Sequence, residues 1–341
     1  MHVTEPEMTR SQSSRQRLRV VFMGTPEFAV PALRACIEEH EVVAVYSQPD
    51  RPSGRGMELK APPVKAFAIE RGIRVHQPLK LSIPGEYETL AALRPDVIVV
   101  VAYGQILRRN VLDLPRLGCI NVHASLLPRW RGAAPINWAI LAGDARTGVT
   151  TMRMVEKLDA GAMLLTESLE ITPRMTAGEL HDRLSEMGGR MIGPTLQGLA
   201  EGSLRDVPQL EAQVTYASKL GREMERLDPH REGAVELDRR VRALSPWPGT
   251  SVLVQVDGGA TRLKIKAANP LAGGRGVSAG EIGESAGMAV LGTRSGLLML
   301  ERVQWDGKRE MSGAESLNGL RGRKIALPLK IVAVEETVGA G

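Results

Sequence analysis

Gly118-Cys119-Ile120-Asn121-Val122-His123-Ala124-Ser125-Leu126-Leu127-Pro128-Arg129-Trp130-Arg131-Gly132-Ala133-Ala134-Pro135-Ile136 starts apolar, turns polar at Asn121 and His123, and regains a helical pattern after Pro135. That is the profile of a buried strand leaving a sheet into a wide loop. Asn121 and His123 are two residues apart, so on a strand both side chains share one face. Open α/β sheets bind ligands at such strand ends. A bland reading makes Asn121 a turn cap and His123 a half-buried structural residue. The adjoining loop of Pro128, Arg129, Trp130 and Arg131 favours the functional one. His123 is then a candidate proton carrier or electrophile, and Asn121 a candidate donor to a developing oxyanion.

Working outward, Gly148 to Met154 alternates as a strand does, and the turn after it carries Asp159 before Ala160-Gly161. Alone, Asp159 reads as a turn residue. Near His123 it would favour an imidazolium and fix its tautomer. Upstream, Leu18 to Met23 predicts a first strand, and Thr25, Pro26 and Glu27 a helix start with Thr25 as N-cap. Only Gly24 of a dinucleotide fingerprint is present, which argues against a nicotinamide or flavin enzyme. Glu41 to Ser47 predicts a second strand. Gln48 to Pro63 reads as a long loop, either a flexible crossover or, with Arg51, Arg55 and Lys60, a basic finger for a phosphate backbone. Helices are expected over Pro63 to Arg71 and Ile83 to Leu93, with a short strand at Ile73 to Val75. Val97 to Val101 is continuously apolar, as in a strand buried on both faces. The alternation predicts a Rossmann-like, doubly wound, mainly parallel sheet, closed by a long helix over Thr176 to Glu201.

Beyond residue 201 the pattern changes. Residues 202–217 read as a linker, and Glu223 to Leu227 and Gly233 to Leu244 as helical. Short runs at Ser251 to Val256, Arg262 to Ala267, Met288 to Leu291 and Gly296 to Val303 suggest a small OB-like β-barrel over 218–330. Ser312 and Glu315 make a capping box. Lys264 and Lys266 alternate with Leu263 and Ile265, so both ammoniums face outward, as a solvated sheet face or a phosphate track. Residues 1–17 and 331–341 are expected to be tails.

The chain has 341 residues, enough for two domains, and a formal net charge of +5, which permits a polyanionic partner without demanding one. Aromatics are 3%, so the cores must rest on aliphatic residues. Cys36 and Cys119 form no metal-type or redox-type pair and read as free buried thiols in a reducing compartment. No apolar run reaches membrane-spanning length and no signal-peptide core opens the chain, so a cytoplasmic protein is expected.

Asn121-Val122-His123, Ser125 to Pro128, Arg131 to Ile136 and Asp159-Ala160-Gly161 together resemble the folate-dependent formyltransferase superfamily. The resemblance extends to Phe22 to Ala29, Gln48 to Gly56, Val101 to Gly104 and Leu244 to Gly249, in order along nearly the whole chain. It implies formyl transfer from 10-formyltetrahydrofolate to the α-amino group of methionine esterified on initiator tRNA. Asn121, His123 and Asp159 would be catalytic. Ser125, Leu126, Leu127 and Pro128 would line the folate cleft, and Gln105, Ile106 and Leu107 its pterin side. The loop with Arg51, Arg55 and Lys60 would reach the acceptor stem, although Met57 and Glu58 stand where more positive charge would help. Lys264 and Lys266 would add backbone contacts. No metal is implied, and a monomer is expected. The alternatives are formyl transfer to a nucleotide sugar or other small amine, and a non-catalytic tRNA-binding relative.

Overall fold

The computed structural model describes residues 17–53, 58–271 and 276–332. The tails beyond them lie outside, as do Arg55 and Met57 of the basic finger. The first half runs β1 (Arg19–Gly24), α1 (Val30–Glu39), β2 (Glu41–Tyr46), β3 (Arg51–Ser53), β4 (Glu58–Lys60), α2 (Pro63–Ile69), β5 (Val75–His76), α3 (Glu86–Ala92), β6 (Val97–Val101), α4 (Arg109–Leu112), β7 (Cys119–His123), β8 (Arg131–Gly132), α5 (Pro135–Leu141), β9 (Arg146–Arg153), β10 (Met163–Glu170) and α6 (Ala177–Glu201). A seven-stranded sheet forms in the order β10-β9-β7-β6-β1-β2-β5. Strands β5 to β7 in that row run parallel, and β9 and β10 are antiparallel. Chain order turns back between β1 and β6, which is the switch point of a doubly wound sheet.

Apolar alternation sorts the side chains of this sheet onto two faces. Val20, Phe22, Val97, Val99, Ile120 and Val122 pack towards α1 and α6. Val21, Met23, Ile98, Val100 and Cys119 pack on the opposite face with Tyr46 and Tyr103. Each such side chain taken fully out of water is worth about 1.5–3 kcal/mol. Both cysteines are buried and free. Helix α6 is started by the Thr176 and Glu179 capping box. It comes close to β7 because Gly188 has no side chain, as a Cβ there would lie 2.8 Å from Val122.

The chain then passes through β11 (Tyr216–Ala217) and α7 (Ala234–Ala243) to β12 (Thr250–Val256), β13 (Gly259–Leu271), β14 (Glu281–Ser285), β15 (Met288–Gly292), β16 (Leu297–Trp305), β17 (Met311–Ser312), α8 (Gly313–Gly322) and β18 (Leu329–Lys330). The strands follow the order β12-β13-β16-β15-β14-β18, all antiparallel. A bridge from Val254 to Ile331 ties the first strand to the end of the last. The result is a near-closed barrel around Val252, Leu263, Ile265, Leu291 and Leu298.

Four local expectations are corrected. Thr25 is not a helix cap. Its hydroxyl donates to the Tyr103 carbonyl at 3.0 Å and accepts from Gln48 N at 3.3 Å, which ties three strand ends together. The helix instead enters through a 3-10 turn, Glu27–Ala29, with no side-chain cap bond. The stretch from Gln48 to Pro63 holds the β3–β4 pair, with Arg51 opposite Lys60. Its base is clamped by Asp50, which accepts from Lys65 and Gln77, both at 2.8 Å. Glu223 to Leu227 is a 3-10 turn over Arg222–Glu225 rather than a helix. The short strand expected at Ile73 to Val75 lies at Val75–His76, because only there does the chain reach β2.

Candidate active site

Strand β7 lies between β6 and β9. Asn121 pairs with Val100 and Met152, and His123 with Thr150. The side chains that alternate with them, Ile120 and Val122, point into the core beneath α1 and α6. Alternation therefore sends Asn121 and His123 to the other face. His123 is 6% exposed. Its Nε2 lies 2.9 Å from the Trp130 carbonyl. A carbonyl can only accept, so Nε2 carries a proton and donates it there. Nδ1 is the nitrogen left to face the site. The Asp159 Oδ2 stands 3.9 Å from it. Among the described residues no hydrogen bond claims the Asn121 amide, so it remains a free donor.

Asp159 sits at φ 47°, in the left-handed region that Asp tolerates better than most residues. It is held there from two sides. Gly132 N donates to its Oδ2 at 2.8 Å. Gln209 Nε2 donates to the Asp159 and Gly161 carbonyls at 2.7 and 2.8 Å. Gly161 must be glycine, since a Cβ would fall 1.8 Å from the Arg153 carbonyl oxygen.

The Ser125 to Pro128 loop is pinned to β9. Thr150 Oγ1 donates to the Ser125 carbonyl and accepts from Leu127 N, and Ser125 Oγ donates to the Arg129 carbonyl at 2.6 Å. Ser125 and Leu127 are buried, while Leu126 and Pro128 keep partial exposure. Gln105 spends its amide on Pro78 O and Leu81 N. Leu107 is buried and Ile106 is 82% exposed. Of the carried-over folate residues, Gln105, Ile106, Leu126 and Pro128 keep accessible surface, while Leu107, Ser125 and Leu127 are buried.

A cleft of about 520 Å³ opens at the ends of β1, β2 and β6, lined by Thr25, Gln48, Arg51, Lys60 and Tyr103 among others. None of Asn121, His123 and Asp159 lines it; they stand at the neighbouring strand end. Burial pushes the Tyr46 hydroxyl, in the core on that face of the sheet with Tyr103, up to about 12, and Glu86 adds to the shift. Arg51 and Lys60 are exposed and directly opposite each other across the hairpin. Like charges so placed repel, and an anion between them would relieve that. In the barrel, Leu263 and Ile265 are buried while Lys264 and Lys266 are partly exposed. Among the described residues no group of His, Cys, Asp or Glu is arranged to hold a metal ion.

Sequence reasoning quoted Arg131 without giving it a role and did not name Gln209. Arg131 has no exposed surface. It donates from Nε to Gln209 Oε1 at 2.9 Å and from Nη2 to Glu211 Oε1 at 3.1 Å. Those partners are 78 and 80 residues away along the chain, so no local signal pointed to them.

A mainly parallel sheet thus carries an amide and an imidazole at one strand end and is joined to an antiparallel barrel, and comparison with known proteins identifies this combination as a formyl transferase. The family model described as formyl transferase matches residues 17–195, and that for the formyl transferase C-terminal domain matches 219–321. A methionyl-tRNA formyltransferase of Halorhodospira halophila is 49% identical over 89% of this chain and 96% of its own length. One from Methylococcus capsulatus is 48% identical over 90% and 99%. In fold alone, the chain is similar to an N-formyltransferase from Helicobacter canadensis solved with folinic acid and dTDP-3-aminofucose, at a TM-score of 0.63 and 15% identity over 83% of this chain and 98% of that one. The chain belongs to the methionyl-tRNA formyltransferase family.

Proposed function

We infer that this protein transfers the formyl group of 10-formyltetrahydrofolate to the α-amino group of methionyl initiator tRNA, with Asn121, His123 and Asp159 as its catalytic residues. The methionyl amine attacks the formyl carbon, and charge builds on the formyl oxygen. The bond to the folate nitrogen then breaks, the amine gives up a proton, and tetrahydrofolate leaves with one. The Asn121 amide is the free donor for the oxyanion, and a donor so placed is typically worth about 2.7–4 kcal/mol. His123, fixed through Nε2, presents Nδ1, and Asp159 across from it takes part in moving the proton. General acid–base help of this kind contributes about 10²–10⁴-fold. The observation that carries the reading is the fixed imidazole with a carboxylate oxygen 3.9 Å from its working nitrogen.

Leu126, Pro128 and Ile106 offer surface for the folate. Arg51 and Lys60 at the cleft lip, with Lys264 and Lys266 on the barrel, offer it for tRNA phosphates. The proposed division is a catalytic unit over 18–201 and a tRNA-binding unit over 218–330, joined by 202–217. A cytoplasmic location belongs to the same proposal. The deciding assay supplies 10-formyltetrahydrofolate with charged initiator tRNA, nucleotide amino sugars or small amines, and follows tetrahydrofolate release. Turnover with the tRNA alone is expected; turnover confined to a small amine would overturn the reading.

A further inference from the structure

The segment leading from the sheet to the barrel does more than connect them. Val207 exchanges both backbone hydrogen bonds with Met163, at 2.8 and 2.9 Å. Gln209 follows, then Glu211, then Thr215, whose hydroxyl accepts from Trp130 N at 2.9 Å and whose carbonyl accepts from Arg131 N at 2.9 Å. Tyr216–Ala217 completes the run as β11, parallel to β8. Trp130 is the residue whose carbonyl fixes His123, and Gly132 the one whose N–H holds the Asp159 carboxylate. Residues 207–217 therefore touch the Asp159 turn directly through Gln209 and reach His123 through Trp130.

We propose that Gln209 is a positioning residue for formyl transfer, reading out the buried Arg131 through its carbonyl and locking the Asp159 turn through its amide. This rests on the reading of Asp159 as a catalytic residue. The two ends of the amide are divided cleanly. Oε1 accepts from Arg131, and Nε2 donates to Asp159 O and Gly161 O. A glutamine is the side chain that satisfies both at once. Arg131 in turn is braced by Glu211, which also meets Lys157 at 3.2 Å, two residues before Asp159. The left-handed backbone of Asp159 is thereby fixed by donors from outside its own turn.

The division supplies the test. Gln209→Glu keeps the acceptor for Arg131 and strengthens that pair, but loses both donors to the turn and sets a negative charge against two carbonyls. Gln209→Met fills the same space and does neither. If Gln209 merely secures Arg131, Gln209→Glu keeps wild-type kcat and thermal midpoint. If it positions Asp159, Gln209→Glu lowers kcat by roughly tenfold to a hundredfold, because small misplacements of reacting groups cost that much. KM for folate and for tRNA stays within about twofold, with the near-UV spectrum of the folded protein retained. Gln209→Met would match it. Unchanged kcat in both variants overturns the proposal, as does a loss confined to KM or failure of both to fold. Asp159→Ala is measured alongside. If it turns over like wild type, the reading of the site is what fails; if it is inactive while both Gln209 variants are active, only the positioning role fails.

Discussion

Replacing Gly132 with alanine tests the geometry of the site at its narrowest point. Gly132 holds φ 126°, and a Cβ there would lie 2.4 Å from the Ala217 carbonyl oxygen. An ordinary carbon–oxygen contact is about 3.3 Å, so relief requires a shift of roughly 1 Å. Neither partner can yield freely. The Ala217 carbonyl accepts from Ala133 N at 2.8 Å, and Gly132 N is the donor to Asp159. A non-glycine residue in this backbone region costs about 1–3 kcal/mol. At about 2–4 °C per kcal/mol for a unit of this size, the thermal midpoint should fall by roughly 2–12 °C. Displacing the Asp159 contact by that distance should lower kcat by about 100-fold. The assay is formylation under saturating folate and tRNA beside a melting curve. Gly202→Ala is the control, since Gly202 also has positive φ, at 67°, but nothing within 4 Å of a Cβ; it should lose stability and keep kcat. A Gly132→Ala protein with wild-type kcat and an unchanged midpoint would refute the reasoning.

Asn121→Ala should cut kcat by about 10²–10³-fold with little change in melting, and His123→Ala and Asp159→Ala should abolish turnover in a folded protein; steady-state kinetics checks all three. Asp96 accepts from Arg19 N at 2.8 Å and Arg116 Nε at 2.7 Å. Burial raises its pKa, but these donors together outweigh that and hold the carboxyl below the usual range. Its stabilisation is therefore full above the ordinary carboxylate pKa and is lost as pH falls through the lowered folded value. Asp96→Asn should cost about 1.5–3 kcal/mol at pH 7, and denaturant titrations should show the gap to wild type closing as pH drops from about 4. Replacing Arg51 and Lys60 together by alanine should lower the salt slope of tRNA binding by roughly 1–2 while leaving folate binding unchanged; an unaltered slope counts against hairpin contacts with phosphate.

What was legible in the sequence was what local pattern controls. Val97 to Val101 reads as a central strand because both its faces are buried, and Asn121 and His123 read as a pair because a strand has period two. The barrel strands were visible wherever apolar residues alternate, and Lys264 and Lys266 were placed on the right face. Glu281–Ser285 was missed because it is short and centred on Gly283, and Arg51–Ser53 with Glu58–Lys60 because an exposed hairpin has no core side to betray it. Thr25 matched a cap in type and position, but a carbonyl from β6's end captured its hydroxyl. Arg131 and Gln209 were unreadable for another reason: their meaning lies in each other.

The thread of chain between the two lobes also bears on modularity. A fragment ending at 201 would keep its sheet and its Asn121 and His123, yet arrive without the clasp that sets Asp159. A cut that spares this clasp falls after Ala217, and it would still sever the Asn137 bond to the Ala243 carbonyl and the Arg174 bond to the Ala268 carbonyl.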